Sequence, residues 1–530
     1  MRKTQLLAVS LLGACTNAFQ LPFHLPFFTD SPQTPLLPAE PPSNRIAIIG
    51  AGAGGASAAF WIAKAKERYG LDVEVDVFER NGYIGGRSTV VYPYNNTELD
   101  PVELGASIFV KVNKNLWRAT DEFGLERIDF GDDDSGMAIW DGSEILLETS
   151  SGSFYSGWWN TLKIIWRYGF KSPQRTMALV KSMTEQIGLL YSERAPRFDN
   201  ITALAETLHW LPYVARTAAE YFDTEGIDRR WTREMVDAAT RVNYGQNVDA
   251  IHALEGMCSL AATGASSVKG GNFQIFEEFL KRSNASVYLN TAVLSLTYDE
   301  ATGTWLLSTF GSQDIRKYRG VILAAPIHSS AIAFSPESLV EMPSPQPYVH
   351  LHVTLLSTPS SSPNPVYFGL GETTAPTQIL TSFDAVRKGT GTGPEFNSLT
   401  YHGKLKTTDG RAWEGPRGEE YVIKLFSGEK MTDEWLETMF GSVGWVFRKE
   451  WDAYPVLPPT TSFPPIKIAR GLYYVNAFEP FISTMETETV AARNVVDLLL
   501  QDEFNAAVCP PGVMDDDLTG SETFVLGWDC

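Results

Sequence analysis

The stretch that decides the fold runs from Ile46 to Ser88 and reads "IAIIGAGAGGASAAFWIAKAKERYGLDVEVDVFERNGYIGGRS". A short apolar run leads into Gly50, Gly52 and Gly55, in the spacing G-x-G-x-x-G, where a helix has to begin. The first glycine allows a tight turn, the second lets a pyrophosphate approach the backbone, and the third lets the helix pack closely on the strand. The N-terminus of such a helix attracts phosphate. The stretch therefore predicts a dinucleotide-binding βαβ unit.

The residues after this unit distinguish between dinucleotides. Glu79 ends the alternating segment "DVEVDVFE" and is placed to accept hydrogen bonds from an adenosine ribose, whereas NADP would favour an arginine there. Gly85, Gly86 and Arg87 follow at once as a second glycine turn with a cation for the same pyrophosphate. An NAD-only dehydrogenase has no use for this second turn. The cofactor is therefore predicted to be FAD, although Arg87 as a plain surface arginine is the alternative.

Length and composition set the broad class. The chain has 530 residues, which is too long for one ordinary core, so at least two packed domains are expected. The formal net charge of −20 argues against nucleic acid or an anionic membrane surface as a partner. The seven histidines show no ligand-like spacing, so no metal site is expected. No mature segment is long and apolar enough to cross a bilayer.

The N-terminus is typical of a secreted protein. Residues 1–18 are predicted to be a signal peptide and residues 19–44 a proline-rich linker, with a bacterial lipoprotein box at "LGAC" as the weaker alternative. Glycosylation sequons at Asn95, Asn200 and Asn284 support a secretory route.

The cysteines fit an oxidising compartment. Cys509 and Cys530 lie in the predicted C-terminal tail, residues 502–530, and could form a disulfide there. Cys258 is expected to be a small buried apolar residue rather than a nucleophile, and Cys15 to leave with the signal peptide.

Further segments carry a resemblance to a known family. These are "ELGASIF", "RVNYGQNVDA" at 241–250, "VKGGN" at 268–272 and the ending "NAFEPFISTMETETVAARN". Together with the glycine motifs they resemble the prenylcysteine oxidase (prenylcysteine lyase) family, within the flavoproteins that resemble glutathione reductase and the amine oxidases. The resemblance implies an α/β fold. A Rossmann-like FAD-binding domain (45–112, 241–326 and 453–501) would be interleaved with an α+β substrate domain (113–240 and 327–452).

The same resemblance implies that the protein is a secreted, lysosomal or vacuolar thioether oxidase with non-covalent FAD. Such an enzyme cleaves farnesyl- or geranylgeranyl-cysteine with O2 and water to cysteine, a prenyl aldehyde and hydrogen peroxide. Hydride transfer from the allylic carbon to the flavin needs no strong acid or base. The alternatives are an amine oxidase, a flavin oxidase of another prenylated or thioether metabolite, and a flavoprotein without turnover.

Two sets of site residues follow from the resemblance. Further cofactor contacts are expected from Gly105, Ala106 and Ser107, a small-residue segment that can pass close to a flat ring, and from Val293 and Glu486. A long helix from about Thr487 would direct its positive end at the flavin.

The catalytic candidates are Arg241, Asn243, Tyr244 and Gln246, which would face the flavin or the cysteine end of the substrate. The competing interpretation makes Asn243 to Gly245 a helix-ending turn. Lys269 is a candidate because related amine oxidases hold a water at the flavin with a lysine, but it is equally compatible with a solvated surface position.

The isoprenoid pocket is expected from aromatic and apolar segments. The stretch 151–170, "SGSFYSGWWNTLKIIWRYGF", and the stretch "VHLHVTLL" near Val349 have suitable side chains, although each one singly is more typical of ordinary core. The histidines are expected to be structural.

Overall fold

The computed structural model describes residues 43–129, 136–149, 156–262, 264–312, 314–371, 373–510 and 523–530, without the side chains of residues 156–159. The predicted signal peptide, nearly all of the linker and part of the tail lie outside these ranges. The chain from Pro42 onward is one unit by its internal contacts.

The glycine-rich stretch forms the centre of a mostly parallel sheet. Its strands, from one edge to the other, are β22 (Lys467–Ala469), β23 (Leu472–Tyr474), β13 (Gly320–Leu323), β1 (Arg45–Ile49), β2 (Glu74–Phe78) and β9 (Ser286–Tyr288). All neighbours pair in parallel except the edge pair β22 and β23. From β1 the chain runs to β2 on one side, and β13 joins on the other. Open sheets of this kind bind ligands at the carboxyl ends of the strands where the order reverses.

The helix after β1 is α1 (Ala53–Tyr69), which packs against α11 (Phe273–Ser283) and α15 (Met485–Phe504). Its small residues bring it close to the sheet. Its aromatic side chains Phe60 and Trp61 pack with Phe279 and with Trp528 from the tail. The Cys509–Cys530 disulfide, which the sequence allowed, is present beside this cluster.

A second, mostly antiparallel sheet lies apart in sequence from the first. Its strands in spatial order are β21 (Val446–Pro455), β15 (Tyr348–Thr358), β20 (Tyr421–Ser427), β17 (Ser398–Lys404), β16 (Gln378–Thr381), β6 (Met137–Trp140) and β7 (Ile145–Glu148). A smaller sheet consists of β12 (Arg316–Tyr318), β11 (Thr304–Thr309), β10 (Val293–Asp299) and β14 (Ala333–Ser335).

The remaining described strands form short pairs. They are β3 (Val90–Val91) with β4 (Val102–Glu103), β5 (Arg127–Asp129) with β8 (Ser266–Val268), and β18 (Glu414–Gly415) with β19 (Gly418–Glu419).

Helices fill the chain between these strands. They are α2 (Lys114–Phe123), α3 (Ser156–Tyr168), α4 (Lys171–Ile187), α5 (Ile201–Thr207), α6 (Leu211–Val214), α7 (Ala218–Thr224), α8 (Arg229–Trp231), α9 (Asp237–Tyr244), α10 (Ala253–Leu260), α12 (Ile327–Ser330), α13 (Asp384–Lys388) and α14 (Asp433–Phe440). Among the described residues, no helix combines the length and apolarity needed to cross a membrane.

The two large sheets take their strands from different ranges of the chain. The parallel sheet uses only strands from 45–112, 241–326 and 453–501. The antiparallel sheet uses strands from 113–240 and 327–452, and only the last three residues of β21 pass the boundary. The helices α9 and α10 belong to the predicted cofactor segments, apart from the first residues of α9. α10 packs on α4 and α7, and α9 packs on β16, so both helices contact the substrate segments.

Candidate active site

A cavity of about 1430 Å³ lies where the parallel sheet faces the antiparallel one. Its walls come from the carboxyl ends of β1, β2 and β13, from the first turns of α1 and α15, and from β15, β16, β17, β20 and β21. This is the position expected for a ligand of an open α/β sheet, because the strand order reverses there.

The first glycine turn has the geometry that its spacing predicts. Gly50 has φ +107°, and a Cβ there would lie 2.5 Å from the carbonyl oxygen of Ala324, the residue after β13. A Cβ at Gly55 would collide with the carbonyl of Gly50, which explains the close contact of α1 with β1. Gly52 is the N-cap of α1 and no side chain caps this helix. The first N–H groups of α1 therefore remain for a ligand in the cavity.

The second turn lies directly against the first. Gly52 and Gly85 form an isolated bridge, and the Gly85 N–H donates to Ala51 O at 2.9 Å. The Glu79 carboxylate accepts the Ala51 N–H at 2.9 Å and the backbone and side-chain N–H groups of Asn81 at 2.8 Å. Each carboxylate oxygen can accept more than one hydrogen bond, so these contacts leave capacity for a ribose hydroxyl.

Arg87 lines the cavity, which excludes the alternative of a plain surface arginine. It donates to Ala453 O at 2.9 Å and pairs with Glu479, whose side chain is buried and which also accepts from the Tyr348 hydroxyl. This pairing raises the pKa of Arg87 above its ordinary value, although burial acts in the opposite direction as the largest single effect. The guanidinium is therefore held in the cavity as a permanent cation.

The first turn of α15 also contributes to the cavity, which Thr484 to Glu488 line. The predicted cofactor residue Glu486 accepts the N–H groups of Asn115 and Leu116 at 2.9 Å, and burial raises its pKa to about 7. It therefore also caps α2. Val293, the other contact predicted in this group, lines the cavity as well.

Three buried polar atoms on the cavity wall fit a bound dinucleotide. Ser88 Oγ, Asn476 Oδ1 and Glu488 Oε1 have no hydrogen-bond partner among the described residues. Buried polar groups are rarely left unpaired in native structures. Together with the uncapped start of α1, these atoms fit the hydroxyl and phosphate groups of FAD.

A buried lysine stands beside the segment predicted to pass the flavin. Lys424 Nζ, on β20, donates to Glu103 O at 3.0 Å and Ser107 Oγ at 2.9 Å. Only 7% of Lys424 is exposed, and burial lowers its pKa to about 8. Burial likewise raises the pKa of Glu103 to about 7. Gly105, Ala106 and Ser107 line the cavity next to this pair.

The "VKGGN" segment holds Glu103 and Ala106 in place through hydrogen bonds. The Asn272 N–H donates to Glu103 Oε1 at 2.6 Å, and Asn272 Nδ2 donates to Ala106 O at 3.0 Å. The predicted catalytic residue Lys269 is not among the residues that line the cavity. Its side chain is half exposed and pairs with Glu126 at 3.1 Å, directly after the end of β8. The cavity lysine is therefore Lys424, and Lys269 has the solvated position that the sequence left open.

The "RVNYGQ" candidates divide into two groups. Asn243 and Tyr244 line the cavity at the end of α9, which Gly245 terminates with φ +63°. The helix-ending turn is thus real, and it directs two of the candidates into the cavity. Asn243 Nδ2 donates to Ala239 O at 2.9 Å, while Tyr244 packs on Tyr454 with ring centroids 5.6 Å apart.

Arg241 and Gln246 do not line the cavity. Arg241 donates to Thr381 Oγ1 at 2.9 Å, and its Nη1 donates to Asn247 Oδ1 at 2.7 Å. Gln246 bonds Pro455 O and the Leu457 N–H. The expectation that both face flavin or substrate is therefore corrected: they join α9 to the antiparallel sheet and position the turn.

The predicted isoprenoid segments also need a correction. Residues 151–155 lie outside the described chain, and none of the described side chains from Asn160 to Phe170 lines the cavity. Trp166 is 89% exposed, because it projects from α3 into solvent. From "VHLHVTLL" only Leu351 reaches the cavity.

The apolar wall comes from residues that periodicity did not identify. They are Met183 and Ile187 on α4, Leu380 on β16, Tyr401 on β17, Phe426 on β20 and Trp451 on β21. The half-buried thiol of Cys258 also lines this region, where burial raises its pKa. The sequence did contain an indication that Lys424 is special. A lysine in the middle of the apolar run "YVIKLF" is unusual, because lysine is rarely buried without a partner.

These features define an FAD-dependent oxidoreductase with an amine-oxidase-type fold. The chain belongs to the prenylcysteine lyase family, whose family model matches residues 153–508, and an NAD(P)-binding Rossmann-like domain matches residues 48–123. The chain is 28% identical to farnesylcysteine lyase from Arabidopsis thaliana, covering 93% of this chain and 94% of the relative. It is 29% identical to prenylcysteine oxidase 1 from Mus musculus, covering 87% and 90%.

Solved structures of low identity share the fold. A double mutant of putrescine oxidase aligns with TM-score 0.55 and 14% identity, over 86% of this chain and all of that chain. Cyclohexylamine oxidase from Brevibacterium oxydans aligns with TM-score 0.52 and 14% identity, over 87% and 99%. The α/β fold and the FAD cofactor predicted from the sequence are thus confirmed.

Proposed function

We propose that this protein is a prenylcysteine oxidase. It cleaves the thioether of farnesyl- or geranylgeranyl-cysteine with O2 and water, and it releases cysteine, a prenyl aldehyde and hydrogen peroxide. The observation that carries the proposal is the apolar wall of the cavity, whose members include Met183, Ile187, Leu380 and Phe426. An isoprenoid chain matches such a wall, and relatives named for prenylcysteine and farnesylcysteine cover nearly the same length of chain.

The protein's own residues have binding and orienting roles. Bound FAD would supply the chemistry, as acceptor of a hydride from the carbon next to the thioether sulfur and as donor of electrons to O2. The apolar wall excludes water from that carbon until the transfer is complete. Lys424 has three N–H donors and uses two on Glu103 and Ser107, so one remains for a water or a polar group of the substrate.

The polar end of the substrate has candidate partners at the end of α9. Tyr244 is almost fully buried behind the cavity surface, and its hydroxyl interacts with the carboxyl of Glu255. Burial raises the pKa of Glu255 to about 8, so this carboxyl is neutral at acidic pH. We assign Asn243 and Tyr244 to the site as positioning residues for the cysteine end.

Location in the secretory pathway belongs to the same proposal. All three sequon asparagines are exposed, and the Cys509–Cys530 disulfide is typical of an oxidising compartment. Glycosidase treatment of protein from a eukaryotic secretory host should increase its mobility in electrophoresis, whereas an unchanged band would contradict N-glycosylation.

The decisive experiment mixes flavin-loaded protein anaerobically with farnesylcysteine and records the visible spectrum. The proposal expects the flavin band to bleach, then to return with hydrogen peroxide when O2 is admitted. Cyclohexylamine and putrescine serve as matched amine controls and should leave the band unchanged. Bleaching by an amine alone would replace the proposal by an amine oxidase, and a band unchanged by all three compounds would contradict it.

A further inference from the structure

A cluster of histidines and carboxylates lies at the rim of the cavity. His350 and His352 alternate on β15 and therefore share one face of the sheet. The neighbouring strand β21 places Glu450 opposite His352 and Asp452 opposite His350. One nitrogen of each histidine and one oxygen of Glu450 all lie within 4.8 Å of one another. Three groups that commonly bind metals thus converge on a single point.

A second carboxylate orients one of these histidines. His350 Nδ1 lies 3.2 Å from Asp452 Oδ1, and His350 Nε2 lies 2.7 Å from Glu450 Oε1. With Nδ1–H donated to Asp452, the lone pair of Nε2 faces a carboxylate oxygen, so a cation has to lie between or beside them. That cation is either a proton or a metal ion. Metal-bound histidines usually donate their other N–H to a carboxylate, which is the arrangement that Asp452 supplies.

We propose that His350, His352 and Glu450 form a binding site for one divalent transition-metal ion, with zinc the best match. Two imidazoles and one carboxylate form a donor set that zinc accepts readily, and a fourth position remains for water. Magnesium and calcium prefer sites made only of oxygen ligands. Asp452 is a positioning residue, and its other oxygen lies 3.3 Å from His328 Nε2. This inference does not depend on the proposed oxidase activity.

The spacing of residues along the chain could not reveal this site. Glu450 is 100 positions from His350, and the two meet only because β15 and β21 pair in this register. The sequence therefore led to an expectation of no metal site, and this proposal revises that expectation.

The test is equilibrium dialysis of tag-free, flavin-loaded full-length protein against ZnCl2 after treatment with a chelator. We expect about one tightly bound zinc per chain, and loss of that equivalent in His352→Ala and His350→Ala. Asp452→Asn should keep the stoichiometry and weaken the affinity about 10- to 100-fold. His209→Ala, which removes an exposed histidine outside the cluster, should bind like the wild type.

Flavin content of each variant reports whether the fold is intact. Equal zinc binding by wild type and His352→Ala would overturn the proposal, as would the absence of stoichiometric binding to wild type. In either case the cluster is a proton-bridged surface ion pair only. Unchanged affinity in Asp452→Asn would refute the positioning role of that carboxylate.

Discussion

The two sides of the cavity are built by different means. On the cofactor side, backbone geometry forms the site: two glycine turns touch at Gly52 and Gly85, and the start of α1 has no side-chain cap. On the opposite side, the antiparallel sheet contributes side chains, among them the buried cation Lys424 and aromatic rings. A backbone site depends on close approach and tolerates no added atom, whereas a side-chain site can lose a group and still fold. The two sides should therefore respond differently to mutation.

The largest effect is expected from one added methyl group on the cofactor side. Gly55→Ala places a Cβ against the carbonyl of Gly50, where no flexible side chain can yield. We expect a loss of about 3 kcal/mol or more of unfolding free energy and nearly complete loss of bound flavin. Flavin absorbance per protein and a denaturant titration measure both quantities.

The matched control is Gly70→Ala at the other end of α1. Gly70 has φ +63°, but a Cβ there meets nothing within 4 Å. This variant should lose only about 1–2 kcal/mol from the left-handed conformation and should keep its flavin. If the two variants lost flavin equally, close packing of the glycine turn would not be the cause.

The second prediction concerns the substrate side. Lys424→Met removes a buried charge but keeps a long unbranched side chain, so folding and flavin content should be retained. Because Lys424 is the cation next to the segment Gly105 to Ser107, the rate of anaerobic flavin reduction should fall about 100-fold. The exposed Lys430→Met is the control and should react like the wild type. A loss of flavin in Lys424→Met would place this residue with the cofactor side instead.

The pH dependence provides a finer test of the same residue. Burial lowers the pKa of Lys424 to about 8, so its positive charge is lost as the pH rises through that value. The flavin-reduction rate of the wild type should decrease across this range, and the rate of Lys424→Met should not. An identical pH profile in the two proteins would show that this charge does not act in the reaction.

The same lowered pKa affects stability with a defined sign. Between about pH 8 and the ordinary lysine value of 10.5, the unfolded chain binds a proton that the folded protein does not. The contribution of Lys424 to the free energy of unfolding should therefore increase with pH across this window, which stabilises the folded protein. Chemical denaturation of wild type and Lys424→Met at both ends of the window measures the difference.

The difference between the two sides of the cavity also explains which features could be predicted from the sequence. The glycines of both turns lie within one short stretch of the chain, so their spacing was sufficient to predict the turns and the cofactor, although a Cβ at Gly50 would also meet Ala324, which is distant in sequence. Lys424 and the apolar wall act only after distant strands pair, and no local pattern encodes that pairing.

The same reason accounts for the misplaced candidates. "RVNYGQ" was a correct marker of the family, but family motifs also include residues that hold the fold together. Arg241 bonds Thr381 and Asn397, which lie on or next to strands of the antiparallel sheet. A motif alone cannot distinguish such a cross-link from a ligand contact, whereas burial and bonding partners can.

The smallest effect is expected at Lys269, the lysine that the sequence made a catalytic candidate while leaving a solvated surface position equally open. Its ammonium group pairs with Glu126 on the surface, and exposed ion pairs contribute little to stability. Lys269→Met should therefore change unfolding free energy by less than about 0.5 kcal/mol and leave the flavin-reduction rate within about twofold of wild type. Measured beside Lys424→Met, this variant compares two lysines that differ in burial and in distance from the segment Gly105 to Ser107, which is predicted to contact the flavin. A large loss of rate in Lys269→Met would mean that the surface near "VKGGN" reaches the reacting groups, and the division of the cavity into a backbone side and a side-chain side would then fail.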